Sequence, residues 1–201
     1  MEKIASFQAD HRKIIPGIYI SRIDGDITTF DLRIKKPNAG DYMSHLEMHT
    51  TEHMFATFIR NSAIAANVIY FGPMGCRTGF YLLTRSVAPE EVLKCIKSVL
   101  HEICCYEGPV FGASEEECGN YKELDLSAAK TICLSYLKVL EERPESEIAR
   151  TILPILYEIY FIAPSRCFKK DSKKNGKYLI PVSPALIRLY SLKSIPYVSI
   201  I

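Results

Sequence analysis

Hydrophobic positions change their period several times along the chain, and each change marks an element. IYISRI (18–23) and ITTFDLRI (27–34) have strand character, and Asp24-Gly25-Asp26 between them predicts a hairpin turn. KKPNAGD (35–41) lacks apolar periodicity and predicts a loop. From about Met48 to Ala66, the apolar residues Met54, Phe55, Phe58, Ile59 and Ile64 recur at helical spacing. NVIYFG (67–72) and TGFYLLTR (78–85) return to strand character around the turn PMGC. Pro89-Glu90-Glu91 opens a helix that runs to about Tyr106, because proline suits the first helical position and acids suit the positive end of the helix dipole. EGPVFGASEEECGN (107–120) is a loop rich in glycine, serine and acids, and SAAKTICLSYLKVLEE (127–142) is helical. A shorter helix is expected after Glu147.

Strands come first, helices are interspersed, and there is no regular βαβ alternation. The pattern therefore predicts an α+β fold, an antiparallel sheet packed against helices. No internal repeat is visible. At Phe161 the character changes to a segment carrying Pro164, Pro181, Pro184 and Pro196 and the basic cluster KKDSKK (169–174). We expect residues 1–160 to form the main folded domain and residues 161–201 to be a divergent, poorly ordered basic extension.

Composition sharpens this only in places. With 201 residues, 48% hydrophobic and 24% charged, the chain fits one domain with a substantial core. The net charge of +2 hides an asymmetry: from Phe161 onward eight Lys or Arg face Asp171 alone, while residues 1–160 carry 17 basic and 22 acidic side chains. An acidic body gives no electrostatic reason to expect nucleic acid. The N-terminus has no apolar signal core. The longest apolar-rich run (151–163) is broken by Pro154 and Glu158 and falls short of the ~20 residues that span a bilayer, so a cytoplasmic protein without membrane contact is expected. Seven cysteines (76, 95, 104, 105, 118, 133 and 167) form no regular framework, which suits metal binding, catalysis or burial better than disulfides.

Candidate chemistry concentrates in HTTEH (49–53). At about 100° per helical residue, Glu52 lies about −60° and His53 about +40° from His49, so all three share one face. Two imidazoles one turn apart can reach one cation, and Glu52 is placed to exchange protons beside it. The pattern alone also fits an inverted zinc-peptidase motif, or two histidines on an ordinary helix. His45 would extend the row by one more turn, but a fourth protein ligand would close the site. An open metal site needs a third ligand: Cys118, in a loop of small and polar residues, is the strongest candidate, and Glu115 to Glu117 are what a peptidase would use. Cys95, Cys104, Cys105 and Cys133 fall in apolar helical patterns and are expected to be buried.

A second signal is GPMGCRTGFY (72–81), where Pro73, Gly75 and Gly79 force a tight excursion that leaves Cys76 at its tip beside Arg77. Cations and backbone NH groups favour the thiolate form of a cysteine, although a free cysteine in a turn fits the same residues. Ser127-x-x-Lys130 matches a serine-nucleophile pattern only superficially and is read as a helix start.

HTTEHMFATFIRN, PMGCRTGFY and GASEEECGNY, in that order, resemble S-ribosylhomocysteine lyase, the autoinducer-2 synthase family; SFQADH (6–11) and FDLRIKKPN (30–38) are similar to its N-terminal segments. The resemblance covers about residues 4–155. It implies that His49, His53 and Cys118 hold a divalent metal, iron(II) natively, with zinc or cobalt able to substitute. It also implies that Cys76 and Glu52 are catalytic, and that Ser6, His11 and Arg33 help bind the substrate. The implied enzyme cleaves S-ribosylhomocysteine to homocysteine and 4,5-dihydroxy-2,3-pentanedione by carbonyl migration and β-elimination. It is a homodimer with active sites at the subunit interface. An H-x-x-E-H metallopeptidase and a non-catalytic metal-binding homologue are the competing readings. The chain departs from the family at Tyr70-Phe71-Gly72, where many members carry Asp and Ser, and at Leu124, where His is common.

Overall fold

Gly25 is where the first hairpin reverses. Strands β1 (Gly17–Asp24) and β2 (Ile27–Arg33) pair antiparallel, with Asp24 opposite Ile27, so only Gly25 and Asp26 connect them. Gly25 has φ +61°, the positive value that the first central position of a two-residue hairpin requires. Strands β3 (Val68–Pro73) and β4 (Gly79–Arg85) complete an antiparallel sheet in the order β1-β2-β4-β3. These elements come from a computed structural model that describes residues 10–142; Ser6, the helix expected after Glu147 and the 161–201 extension lie outside the described residues.

Side chains alternate across a strand, and this sheet uses its two faces differently. Ile18, Ile20, Phe30, Leu32, Phe71, Phe80 and Leu82 form the core face. The alternate positions carry the buried Asp31 and Arg33. In register, Asp31 is flanked by Tyr19 and Tyr81, and Arg33 by Gly17 and Gly79, so the guanidinium lies between two residues without side chains.

Three helices cover the core face among the described residues: α1 (His45–Ile59), α2 (Pro89–Cys105) and α3 (Leu126–Glu142). Val92, Ile96, Val99 and Ile103 recur at the helical period on α2 and are wholly buried. Phe55 of α1 stacks on Phe71 at 4.3 Å, and Phe71 on Phe80 at 5.0 Å, a column that ties helix to sheet. Tyr136 of α3 donates its hydroxyl to the Gly17 carbonyl at 2.9 Å and hooks that helix onto β1.

The expected α+β architecture is present, but α1 occupies 45–59 rather than the expected 48–66. It starts earlier because Ser44 and Glu47 close a capping box, each side chain bonding the other's backbone N–H. It stops earlier because Asn61 and Ser62 side chains bond the Thr57 and Ile59 carbonyls, and a short 3₁₀ turn (Ala65–Asn67) follows. Cys95 and Cys133 are buried as expected, and burial pushes the Cys133 thiol far up. Cys104 is only half-buried, and Cys105 is exposed at the end of α2, contrary to expectation.

Thr51 is 2% exposed, and its hydroxyl has no hydrogen-bond partner among the described residues. It borders a void of about 10 Å³ lined mainly by Phe55, Phe71, Phe80, Leu100 and Ile132, too small and apolar to hold a well-bonded water. Thr51→Val removes the stranded hydroxyl without changing shape. It should stabilise the protein by about 1 kcal/mol. In thermal unfolding, that corresponds to a rise of about 2–4 °C; a fall would show that the hydroxyl is satisfied in solution.

Candidate active site

Helix α1 carries His49, Glu52 and His53 at the edge of its buried face, all half-buried. Opposite stands Cys118, from the loop between α2 and α3. The ligand atoms of His49, His53 and Cys118 lie within 4.8 Å of one another. Cys118 Sγ is 3.3 Å from His49 Nε2. Ligands held ~2.0–2.3 Å from one tetrahedral ion stand about 3.3–3.8 Å apart, so the grouping is close to metal-binding size.

The tautomers support the same use. His53 Nδ1 donates to the Phe111 carbonyl at 2.8 Å, which leaves Nε2 as the bare nitrogen a metal requires. Two imidazole nitrogens and a thiolate suit iron(II), zinc or cobalt alike. The donor set therefore fits a divalent transition metal. His45 is exposed and outside the cluster. Glu115 to Glu117 are exposed, and the Glu117 carboxylate accepts from Ser114 Oγ at 2.8 Å. The cluster thus takes a thiol and not the carboxylate that a peptidase would use.

An irregular loop holds Cys118 in place because α1 anchors it at three levels. Phe58 packs edge-on against Tyr106 and Phe111, at 5.6 and 5.7 Å between ring centres. His53 binds the Phe111 carbonyl, as above. Thr50 Oγ1 accepts the Asp125 N–H at 3.0 Å while donating to the Leu46 carbonyl. Within the loop, Cys118 N–H bonds Ser114 O, and Asn120 N–H points at Cys118 Sγ at 3.4 Å.

Cys76 occupies the β3–β4 connection. Met74 to Arg77 form a turn closed by Arg77 N–H to Met74 O at 2.9 Å, and Arg77 takes φ +59° to send the chain back. Cys76 is exposed and lines a cleft of about 350 Å³ with His11, Pro37, Asn38, Tyr42, Arg77 and Thr78. Beneath it, Arg33 Nη1 lies 3.8 Å from Cys76 Sγ and donates to Thr78 Oγ1 at 2.6 Å. Asp31 grips the same guanidinium with both carboxylate oxygens. Burial pushes the Asp31 carboxyl up, and Arg33 opposes that shift. Burial, with the Asp31 charge adding, also pushes the Tyr81 phenol up.

Of the candidates named from sequence, His49, His53 and Cys118 come together, and Cys76 is joined by His11 and Arg33. The first three do not line the Cys76 cleft. Sequence reasoning missed Asp31, Thr78 and the Phe111 carbonyl. Asp31-x-Arg33 on a strand was a readable signal, since two apart on β2 means one face. A backbone acceptor such as Phe111 leaves no mark in a sequence. Two departures are linked: the Tyr70 side chain folds over Gly72, where a Cβ would collide with its hydroxyl, so glycine there accompanies tyrosine. Leu124 is half-buried and precedes Asp125, which bonds Thr50.

The family S-Ribosylhomocysteinase (LuxS) matches residues 4–147 of the chain. A relative from Finegoldia magna, named S-ribosylhomocysteine lyase, is 48% identical over 145 residues, covering 70% of this chain and 92% of the relative. One of the same name from Borreliella afzelii is 43% identical over 154 residues, covering 74% and 98%. A third, from Clostridium beijerinckii, is 43% identical over 143 residues, covering 68% and 90%.

Gly112 follows the carbonyl that orients His53 and has φ +68°; a Cβ there would lie 3.0 Å from His53 Nδ1. Gly112→Ala should therefore disturb that hydrogen bond and weaken metal affinity about 10-fold, as loss of such outer partners does. Chelator competition on the two proteins measures the difference. Unchanged affinity would mean that the Phe111 contact does not tune the site.

Proposed function

The chain belongs to the S-ribosylhomocysteinase (LuxS) family, and we propose that it cleaves S-ribosylhomocysteine to homocysteine and 4,5-dihydroxy-2,3-pentanedione at the residues just described. The observation that carries this reading is the convergence of His49, His53 and Cys118, residues 69 apart at the extremes, on one metal-sized grouping. We assign the resident ion as iron(II), with zinc or cobalt able to substitute. When bound, such an ion would act as a Lewis acid on the sugar carbonyl oxygen and so make the adjacent C–H bonds more acidic.

In this reading the residues divide the proton transfers. Cys76 is the base that takes a proton from C2 and returns one to C1, and repeats the exchange between C3 and C2, so that the carbonyl moves from C1 to C3. Its exposure in the cleft, with donors beneath the sulfur, supports that role. Removal of the C4 proton then breaks the C5–S bond, and the electron pair leaves with the sulfur of homocysteine. Glu52, half-buried beside both histidines, is the base for this last proton and the carrier between sugar oxygens. Ser6, His11 and Arg33 bind the substrate; His11 lines the Cys76 cleft.

Cys76 and Glu52 must act on one substrate, yet the cleft lining includes Cys76 and His11 and none of His49, Glu52, His53 or Cys118. This supports a homodimer in which each pocket draws on both chains. The cytoplasm is the compartment in which Cys76 and Cys118 stay reduced. No helix among the described residues is long and apolar enough to cross a membrane.

The division of labour is testable in deuterated water. Glu52→Gln should still exchange substrate carbon-bound protons while thiol release falls about 10²–10⁴-fold. Cys76→Ala should lose both exchange and release with its metal retained. Thiol release at the normal rate in Glu52→Gln, or exchange at the normal rate in Cys76→Ala, would overturn the assignment of that residue.

A further inference from the structure

We propose that Thr78 is a positioning residue for Cys76, its buried hydroxyl able to bond the sulfur in either protonation state, with the Asp31–Arg33 pair setting its direction. The inference builds on the reading of Cys76 as a proton-transferring base. Thr78 Oγ1 lies 3.0 Å from Cys76 Sγ and 2.6 Å from Arg33 Nη1. A guanidinium can only donate, so Thr78 must accept from Arg33. A hydroxyl has one hydrogen and two lone pairs, so one hydrogen and one lone pair remain for the sulfur. Facing a thiolate, which can only accept, Thr78 donates its hydrogen. Facing a thiol, it can receive the S–H on the second lone pair.

Thr78 is held where solvent barely reaches it. Thr78 is 1% and Arg33 2% exposed, whereas Cys76 opens to the cleft. Arg33 is itself fixed: Nε and Nη2 are held by the two oxygens of Asp31, which leaves Nη1 aimed at Thr78 and Cys76. The Thr78 carbonyl accepts from both Ile34 and Lys35 N–H at 2.9 Å, so the residue cannot drift from β2. Among the described residues, the other titratable groups near this end of the sheet are His11, Tyr42 and Arg77, which line the cleft, and Tyr81, the cross-strand neighbour of Asp31. A base that gives up and regains a proton several times per turnover needs a partner that reverses with it, and Thr78 meets that need.

The test uses the full-length, metal-loaded protein and two variants, Thr78→Val and Thr78→Ser. Thr78→Val keeps the shape and deletes the hydroxyl; Thr78→Ser restores it. For Thr78→Val we expect kcat for thiol release to fall about 10- to 100-fold, the scale of one hydrogen bond to a charged group, while KM changes little. Iodoacetamide labelling, read by peptide mass spectrometry, should slow at Cys76 relative to the exposed Cys105 in the same molecules. Thr78→Ser should restore both rates to within about twofold of the original. Normal kcat and Cys76 labelling in Thr78→Val would overturn the proposal, as would equal impairment of the two variants, which would indicate a packing role. If the unmodified protein releases no thiol, the lyase reading fails, and the labelling comparison still decides the role of Thr78.

Discussion

A loop of mostly irregular backbone must present Cys118 to two histidines on a helix, and fixing such a loop costs about 1–2 kcal/mol of conformational entropy per residue. The contact that joins the two is the hydrogen bond from His53 Nδ1 to the Phe111 carbonyl. It fixes the His53 tautomer and a loop's position at once, so orientation of that imidazole and loop docking are one event. The aromatic contacts of Phe58 with Tyr106 and Phe111, and the bond from Asp125 N–H to Thr50, flank it on either side. Without that frame, HTTEH would offer two ligands and nothing to close the set.

The second dependency lies on the other face of the sheet. Burying Asp31 with Arg33 is no route to stability by itself, because desolvating two charges offsets much of their attraction. Here the pair sits under the turn that carries Cys76, and its geometry directs an Nη1 group at that turn. The turn is tied to α1 through the backbone: Met43 N–H bonds the Arg77 carbonyl at 3.0 Å, and Ser44, the next residue, caps that helix. Displacement of the Cys76 turn would therefore be felt where α1 begins.

Much of this was legible in the sequence, and the exceptions have physical causes. Asp24-Gly25-Asp26 announced its hairpin because positive φ has few residue solutions. HTTEH, Cys118 and the Cys76 turn were visible because ligand and thiol chemistry needs particular side chains at particular spacings. The ends of α1 were not, since Ser44 and Asn61 act through local side-chain bonds that override apolar periodicity. Cys105 looked buried because α2 has a strong apolar pattern, yet its last turn points that residue outward. Asp31 and Thr78 went unnoticed because a buried polar residue in a strand resembles any polar position until its partners are in view. The grouping of residues 49, 53 and 118 was expected from the HTTEH spacing and the family resemblance, and the fold supplies what the sequence lacks, ligand atoms within 4.8 Å of one another.

The account rests on the metal-loaded protein breaking a carbon–sulfur bond in a sugar thioether, and the most direct measurement is free thiol after adding S-ribosylhomocysteine. The account predicts continuous thiol release with one divalent ion per chain, lost on chelation and recovered when iron(II) or cobalt is restored. No thiol release from protein carrying its full complement of metal would contradict it.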